Sequence, residues 1–253
     1  MKQWILLFCL WWIYRRVNVT PLESDILIAP GGYKGIYMLG ICHYLKNHFE
    51  IEDKIVAGLS CGSLLSLFLK MNPEMDDLFI SSIFKINQNV PMSTFLQELL
   101  CILFQQFKTE DFDLTKIQIG VTTIKGFEVF DKFLNLKDIV SCCTSSCFVP
   151  FVTYKDLFLI YHNRMTFDGG LFYKVLKHRK KENTTIISSS MFGRYRESLI
   201  SGFIKPKCSY YQLYLNGYHD ARKNHAYFEK HFKRKSTTKS NPIINSRVHK
   251  PPS

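Results

Sequence analysis

The chain has 253 residues, a formal net charge of +12 and 46% hydrophobic residues. Its length excludes a domain too small to bury its own core, and it allows one large domain or two small ones. The hydrophobic content and the 21% of charged residues are ordinary for a globular protein. The positive charge favours a polyanionic partner, either nucleic acid or an anionic membrane surface, and composition does not choose between them.

The N-terminal segment, residues 1–23, contains an apolar run, Trp4–Tyr14, that two arginines close. This run is too short to span a bilayer as a helix, which needs roughly 20 apolar residues. Large aromatic residues stand where a signal peptide needs small ones. The mixture of Trp, Tyr and Arg is typical of a segment anchored at a membrane interface, and packing against the folded domain is the alternative.

The cysteines do not indicate a metal site. No C-x-x-C pair occurs, and Cys142, Cys143 and Cys147 lack the spacing of tetrahedral ligands. The even count of eight is no evidence for disulfides in a chain of this length. We therefore interpret the cysteines as reduced thiols of an intracellular protein, and we expect no bound metal.

Apolar periodicity and β-branched runs predict strands that alternate with helices. The predicted strands are residues 25–29, 54–57, 117–124, 158–161, 165–167 and 184–188. The predicted helices are 36–48, 63–71, two within 74–108 that separate near Pro91, and one over 216–235. This alternation is typical of an α/β sandwich with a mostly parallel sheet. We expect one domain over residues 24–235 and a basic, disordered tail over 236–253.

A glycine-rich loop, Gly31-Gly32-Tyr33-Lys34-Gly35, joins the first predicted strand to the first predicted helix. Such a loop cradles a phosphate, stabilises another anion, or only makes a tight turn. The Walker pattern is absent because Lys34 precedes its glycine and no hydroxyl residue follows, and the dinucleotide pattern G-x-G-x-x-G is absent too. The loop therefore disfavours nucleotide binding.

The sequence Gly58-Leu59-Ser60-Cys61-Gly62 fits G-x-S-x-G, the pattern of a nucleophile elbow. In that turn the serine lies between a strand and a helix, and both flanking positions must be nearly free of side chain for the chain to bend so tightly. A predicted strand precedes the motif and a predicted helix follows it, as the pattern requires. The alternative is an N-capping serine in a glycine turn.

A serine nucleophile needs a base, and the eight histidines form no recognisable motif. Ser60 also comes too early in the chain for the usual α/β-hydrolase order of serine, acid and histidine. The motif Asp168-Gly169-Gly170 follows a short predicted strand, and its two glycines let the chain turn sharply and leave the carboxylate accessible. A plain Asp-Gly turn is the alternative.

Together the three motifs resemble those of the patatin-like phospholipases, in order and approximate spacing, over roughly residues 24–230. That family carries G-G-G-x-R/K-G, then G-x-S-x-G, then D-G-G/A. Residues 141–152, SCCTSSCFVPFV, also resemble the family's segment ahead of its aspartate. The resemblance implies a three-layer α/β/α sandwich with a mostly parallel central sheet.

The resemblance further implies a Ser–Asp dyad that needs no metal or organic cofactor. Ser60 is expected to attack an ester carbonyl, and Asp168 is expected to accept its proton as general base. Backbone N–H groups of Gly31, Gly32 and Tyr33 are expected to hold the oxyanion. The supporting motif residues are Lys34, Gly35, Gly58, Gly62, Gly169 and Gly170. The chain departs from the family at Pro30, which replaces the first glycine of the loop motif and has no N–H to donate.

The expected function is therefore a serine lipid acyl hydrolase that cleaves phospholipid or related acyl esters at an anionic membrane surface. Nine lysines and arginines against two acids between His219 and Ser253 suit such a surface. We expect an intracellular, cytoplasmic protein that associates peripherally with membranes. The alternatives are a catalytically inactive patatin-like protein that binds membranes, and a basic nucleic-acid-binding module. No nucleic-acid-binding motif accompanies the charge, so we expect no nucleic-acid partner.

Overall fold

The computed structural model describes residues 22–196 and 199–236. The predictions for residues 1–21 and for all but the first residue of the tail therefore lie outside the described residues. Within those two ranges, no helix has the length and apolar character needed to cross a bilayer.

A mixed sheet forms the centre of the fold. Its strands are β1 (Ile26–Ile28), β2 (Val56–Leu59), β3 (Ile117–Thr123), β4 (Gly126–Phe130), β5 (Leu159–Tyr161), β6 (Arg164–Phe167) and β7 (Thr185–Ile187). The spatial order is β5-β6-β3-β2-β1-β7, and β4 pairs with β3 as well. The four neighbours β7, β1, β2 and β3 run parallel, whereas β4, β6 and β5 are joined by antiparallel pairings. The predicted α/β class with a parallel central sheet is confirmed.

Helices connect the strands and cover the sheet. They are α1 (Gly35–His48), α2 (Cys61–Leu69), α3 (Asp76–Lys85), α4 (Met92–Gln106), α5 (Leu136–Ser146), α6 (Tyr173–Arg179), α7 (Leu199–Gly202), α8 (Tyr210–Lys223) and α9 (His225–Glu229). Both helices predicted within residues 74–108 are present, on either side of Pro91.

The two faces of the sheet bury separate apolar clusters, because side chains of a strand alternate between faces. Ile26 and Ile28 of β1 belong to the larger cluster, which contains apolar side chains of α1 to α5, α8 and α9. Leu27, between them, belongs to a smaller cluster with Phe172 and Leu176. Leu22, at the start of the described chain, is buried in this smaller cluster. The sheet is therefore covered on both faces, as expected of an α/β sandwich.

Two boundaries near the serine motif differ from the predicted ones. The second strand begins at Val56 rather than residue 54, because its pairing with β1 begins at Ile26 and Val56. The following helix begins at Cys61 rather than residue 63. As a result β2 and α2 are separated by Ser60 alone, so the turn is tighter than the sequence pattern predicted.

The last predicted helix, 216–235, is also wrong in its bounds. Helix α8 begins at Tyr210, where Ser209 Oγ accepts a hydrogen bond from the Gln212 N–H, and it ends at Lys223. Tertiary packing decides this position. If Gly217 carried a Cβ atom, that atom would lie 1.9 Å from Tyr37 O of α1, so the backbones of α8 and α1 are in direct contact at this glycine. Close backbone contact between α1 and α8, which no local pattern reports, therefore holds the helix in place. The prediction also missed β4, α6 and α7, and it indicated α5 only through the resemblance of residues 141–152 to a small-residue helix.

A buried ion pair stabilises the region where α1 meets the end of α2. Lys46 Nζ lies 2.6 Å from Asp76 Oδ1, and the two side chains are 4% and 6% exposed. The same ammonium donates to the carbonyl oxygens of Phe68 and Met71 at 2.9 and 2.7 Å. Burial lowers the pKa of Lys46, and the Asp76 carboxylate opposes that shift.

We expect Asp76→Ala to lower the free energy of unfolding by about 3 kcal/mol, because it leaves the buried Lys46 ammonium without its counter-charge. Asp77→Ala is the matched control, since Asp77 lies in the same first turn of α3 but is exposed; its cost should stay below about 1 kcal/mol. Urea unfolding at neutral pH measures both. Equal costs for the two variants would contradict the role assigned to the pair.

Candidate active site

The sheet brings the ends of two distant strands together. β2 pairs with residues 117–120 of β3, and β6 pairs with Thr122 and Thr123 farther along the same strand. β4 also pairs with these two threonines, so β4 and β6 lie on opposite edges of β3. Because β4 also pairs with Ile119 and Gly120, which pair with β2, the strands β6 and β2 lie along the same edge of β3. Because β2 is parallel to β3 and β6 is antiparallel to it, their C-terminal ends point toward each other. Ser60 and Asp168 are the next residues of these two strands.

Ser60 and Asp168 form a hydrogen-bonded pair. Ser60 Oγ donates to Asp168 Oδ2 at 2.6 Å, and the other carboxylate oxygen accepts the Gly170 N–H at 2.7 Å. The two residues are only 6% and 7% exposed. The serine hydroxyl therefore has a carboxylate within direct proton-transfer distance, which is the geometry that a general base requires.

The turn at Ser60 is strained and depends on its two glycines. Ser60 has φ 54° and ψ −131°, a conformation that L residues rarely adopt and that costs on the order of 1–3 kcal/mol. A Cβ on Gly58 would lie 2.3 Å from Gly62 O, and a Cβ on Gly62 would lie 2.4 Å from Ile28 O. Side chains at these positions would push α2 away from the strands, so both glycines are required by close packing of backbones.

Two further side chains hold the Ser60–Asp168 pair in place, and the sequence analysis missed both. Ser146 Oγ accepts the Ser60 N–H at 2.9 Å and donates to Gly120 O at 2.7 Å. Thr122 Oγ1 donates to the backbone oxygen of Asp168 at 2.8 Å. Ser146 belongs to the small-residue segment 141–152, which was the available signal for it, whereas no pattern marked Thr122.

The environment of Asp168 raises the pKa of its carboxyl group to about 7. Burial is the largest cause, since it disfavours the charged form. The hydrogen bonds from Ser60 and from the Gly170 N–H act in the opposite direction. A carboxylate with a pKa near neutrality is a far stronger base than an ordinary aspartate.

Part of the glycine loop supplies donors next to Ser60. The backbone N–H groups of Gly31, Gly32 and Gly62 face the sulfur of Cys61, the residue after the serine. Burial is the main cause that raises the pKa of this thiol to about 12, and the three N–H groups oppose it. N–H groups that converge at the start of α2 form an electropositive site for a developing negative charge.

Pro30 packs against the turn that carries the aspartate. A Cβ on Gly170 would lie 2.6 Å from Pro30 Cβ, so the second glycine of Asp168-Gly169-Gly170 makes room for the proline ring. A Cβ on Gly169 would lie 2.0 Å from Gly120 O of β3. Pro30 thus contributes packing rather than a donor, and the loop N–H groups that face the Cys61 sulfur come from the two residues after it.

Other predicted residues of the loop have structural contacts. Lys34 Nζ donates to Ser201 Oγ at 2.5 Å and to Arg196 O at 3.4 Å. Tyr33 is buried, its ring packs against Phe95 and Tyr210, and its hydroxyl donates to Val90 O at 3.3 Å. The side chains of Lys34 and Tyr33 therefore attach the loop to its surroundings.

The segment around α7 covers the same loop. Gly32 has φ +53°, and a Cβ there would lie 2.3 Å from Gly202 O. A Cβ on Gly202 would in turn lie 2.6 Å from Gly31 O. The two backbones touch, and this contact fixes the position of the loop. Gly202 belongs to none of the three sequence motifs.

An apolar cavity begins at Ser60. Its wall is formed mainly by aliphatic and aromatic side chains of α1 to α4, among them Ile36, Leu39, Leu64, Leu65, Phe79 and Leu99. Cys61, Cys147 and Thr153 complete the end near the serine, and Phe203 borders it as well. The cavity is narrow, with a volume of about 70 Å³. The two helices predicted within residues 74–108 thus form a wall of this cavity.

The histidines have other partners. His43 Nδ1 lies 2.5 Å from Tyr214 Oη, and burial lowers the pKa of this histidine to about 4. His225 Nδ1 lies 2.7 Å from Tyr44 Oη. None of the described histidines hydrogen-bonds to Ser60 or Asp168, so the carboxylate is the partner of the serine hydroxyl in this part of the chain.

The site has few groups suited to a metal. Within the described residues, no group of three or more His, Cys, Asp and Glu side chains is placed to hold a metal ion. The cysteines in the same ranges are free thiols, and Cys42, Cys142, Cys143 and Cys147 are buried.

Comparison of the chain with protein-family models gives no match, and comparison with curated proteins gives no significant match. The patatin-like resemblance therefore stays a prediction from three short motifs.

Proposed function

We propose that this protein is a serine acyl-ester hydrolase that uses Ser60 as nucleophile and Asp168 as general base. The observation that carries the proposal is the 2.6 Å hydrogen bond from Ser60 Oγ to Asp168 Oδ2 beside an apolar cavity that Ser60 lines. An N-capping serine would direct its oxygen to the first N–H groups of the helix, but Ser60 makes no such bond. The strain at Ser60 also suits a functional residue better than an ordinary turn.

In the first half of the proposed reaction, Ser60 Oγ attacks the ester carbonyl carbon while its proton passes to Asp168 Oδ2. The carbonyl oxygen becomes an oxyanion, which the N–H groups of Gly31 and Gly32 stabilise together with the positive end of α2. The bond to the alcohol oxygen then breaks, and the proton on Asp168 moves to the departing alcohol. An acyl group remains on Ser60.

In the second half, water attacks the acyl carbon while Asp168 takes a proton from it. The bond between Ser60 Oγ and the acyl carbon breaks, and the proton returns to the serine. The carboxylic acid leaves, and the pair is restored. A single buried carboxylate therefore performs the work that a histidine performs in the Ser-His-Asp arrangement.

The lining of the cavity supports an acyl group as the part of the substrate that binds there, because the wall offers almost only apolar contacts. Its volume of about 70 Å³ is well below the roughly 300–1,000 Å³ of typical small-molecule pockets. The cavity in this conformation therefore suits the part of an acyl chain nearest the ester. We propose a lipid ester as substrate and peripheral membrane association of a cytoplasmic protein, and the net charge of +12 supports an anionic surface as its location.

We expect a fluorophosphonate probe to label the wild type at Ser60 and not Ser60→Ala, because the probe reacts with an activated serine. Ser60→Ala should also lower hydrolysis of p-nitrophenyl butyrate by at least about 10³-fold. Ser66→Ala is the matched control, since Ser66 is buried on the same helix and donates to Ser63 O. Peptide mapping by mass spectrometry and a spectrophotometric assay measure the two effects. Absence of labelling in folded wild type would overturn the proposal.

We expect kcat/KM for the same ester to rise with pH through an apparent pKa of about 7, because Asp168 must be ionised to accept the proton. Activity should fall about tenfold for each pH unit below that value. A pH–rate profile of the wild type measures it. A flat profile between pH 5 and pH 8 would contradict the assignment of Asp168 as base.

Asp168→Asn should remove turnover yet stabilise the fold at high pH. The native pKa of about 7 exceeds the ordinary value of 3.8, so the native state binds the proton more tightly than the unfolded state. This contribution is present below pH 4 and is lost as pH rises to about 7. Asparagine does not ionise, so the variant should exceed the wild type by up to about 4 kcal/mol at pH 8.

The difference in unfolding free energy between Asp168→Asn and the wild type, measured by urea titration at pH 4.5 and pH 8, tests this expectation. The difference should be clearly larger at pH 8. A variant that is equally or less stable than the wild type at both pH values would show that burial does not raise the pKa of Asp168.

A further inference from the structure

Exposed apolar side chains lie beside residues that line the cavity, or at the end of the sheet that carries the Ser60–Asp168 pair. They are Phe151, Val152, Leu157, Phe158 and Ile204, and we refer to them as the mouth patch. Single exposed apolar residues are normal on a protein surface, but a cluster around an opening marks a surface that contacts an apolar partner. Three elements of the fold bring these residues to the opening.

The first element is the turn after α5. Thr153 lines the cavity, and its neighbours Phe151 and Val152 are 64% and 39% exposed. The Phe151 N–H donates to Tyr154 O at 2.7 Å, and the Thr153 N–H donates to Val149 O at 3.0 Å. Phe151 has φ +64°, which is strained for a bulky side chain. The turn therefore holds a large aromatic ring in water beside the cavity, at a cost to the folded state.

The second element is the chain that leads into β5. β5 is antiparallel to β6, with Leu159 opposite Thr166, so the residues before Leu159 lie at the end of β6 that leads to Asp168. Leu157 and Phe158 are these residues, and they are 58% and 39% exposed. They consequently lie at the same end of the sheet as the Ser60–Asp168 pair.

The third element is the segment after α7. Phe203 lines the cavity, and the next residue, Ile204, is 65% exposed. The backbone contact between Gly202 and Gly32 holds one end of this segment, and the 2.9 Å hydrogen bond from Lys205 Nζ to Asn89 Oδ1 holds the other. Ile204 is thus fixed near the opening from the side of α7.

Lysines accompany the apolar residues. Lys155 lies between Val152 and Leu157, and Lys205 and Lys207 follow Ile204; all three are exposed. Asp156 is the one acidic residue within residues 151–158 and 203–207. An apolar surface with a basic rim complements an anionic bilayer, whose headgroups attract lysine while its acyl region accepts aromatic and aliphatic side chains.

We propose that the mouth patch docks the protein onto an anionic phospholipid bilayer, with the cavity entrance against the membrane. This inference rests on the proposed function, because docking in this orientation delivers a lipid ester to Ser60 without passage through water. The partner is the bilayer itself, and it contacts the described domain in addition to any contribution from the basic tail.

The test compares two double variants of the full chain that carry the same added charge. Phe151→Asp with Leu157→Asp changes the mouth patch, and aspartate is among the residues that best tolerate a positive φ. Phe104→Asp with Leu134→Asp is the matched control, because these side chains are 50% and 87% exposed outside the patch. Leu134 follows β4, and the last residue of β4 pairs with Ile119 near the start of β3. The chain therefore leaves β4 in the direction away from the cavity.

Binding is measured by co-sedimentation with vesicles of phosphatidylcholine and phosphatidylserine at 7:3. We expect the mouth-patch variant to bind at least about tenfold more weakly than the wild type, and the control variant to bind within about threefold of it. The ratio of hydrolysis of vesicle lipid to hydrolysis of p-nitrophenyl butyrate should fall by a similar factor in the mouth-patch variant alone.

Equal vesicle binding by the two variants would overturn the proposal. So would a wild type that is dimeric in light scattering and becomes monomeric only when the mouth patch is changed, because the patch would then be covered by a second copy of the chain. Failure of the proposed function gives a different result: the wild type would bind vesicles through the patch but hydrolyse neither substrate.

Discussion

At three places two backbone segments approach each other more closely than a methyl group allows, and the candidate active site depends on these contacts. The start of α2 touches the end of β1 at Gly62, the turn after β6 touches β3 at Gly169, and α7 touches the glycine loop at Gly202. Each contact requires a position without a side chain. The contacts at Gly62 and Gly169 hold the two turns that carry Ser60 and Asp168 against the sheet, where the two side chains meet at hydrogen-bond distance, and the contact at Gly202 holds the glycine loop beside them.

The site lowers the stability of the fold that contains it. Ser60 is held in a rarely populated conformation, and Asp168 is buried with a pKa near neutrality. The surrounding structure offsets these costs through hydrogen bonds that use the backbone of both residues: Ser146 to the Ser60 N–H, and Thr122 to the Asp168 carbonyl. A region that tolerates strain and a buried carboxylate at one point is more consistent with a chemical role than with a structural one.

Pro30 shows how a departure from a motif is accommodated. The proline ring packs against Gly170, so the residue that cannot donate a hydrogen bond instead positions the turn that carries Asp168. The N–H groups of Gly31 and Gly32 face the sulfur of Cys61 beside the serine. The loop thus still has two N–H donors beside Cys61 without its first glycine, and these are the donors that the proposed mechanism uses.

The sequence by itself determined the class of the fold and the identity of the paired residues. Alternating strand and helix patterns report local periodicity, and the glycines of G-x-S-x-G and Asp-Gly-Gly report turns that no other residue can make, so both are visible in short windows. Ser60 and Asp168 were singled out in this way, and the resemblance of the motifs to those of patatin-like phospholipases paired them, although 108 positions separate them.

Only the tertiary structure decided the arrangement around that pair. Ser146 and Thr122 stabilise it through contacts between residues far apart in the chain. The small-residue segment 141–152 contains Ser146 but does not reveal its contact with Ser60, and no pattern marked Thr122. Gly202 and the bounds of α8 are set by helix and loop packing rather than by local preference. The raised pKa of Asp168 has the same origin, because burial is a property of the folded molecule and not of the residues beside it in sequence.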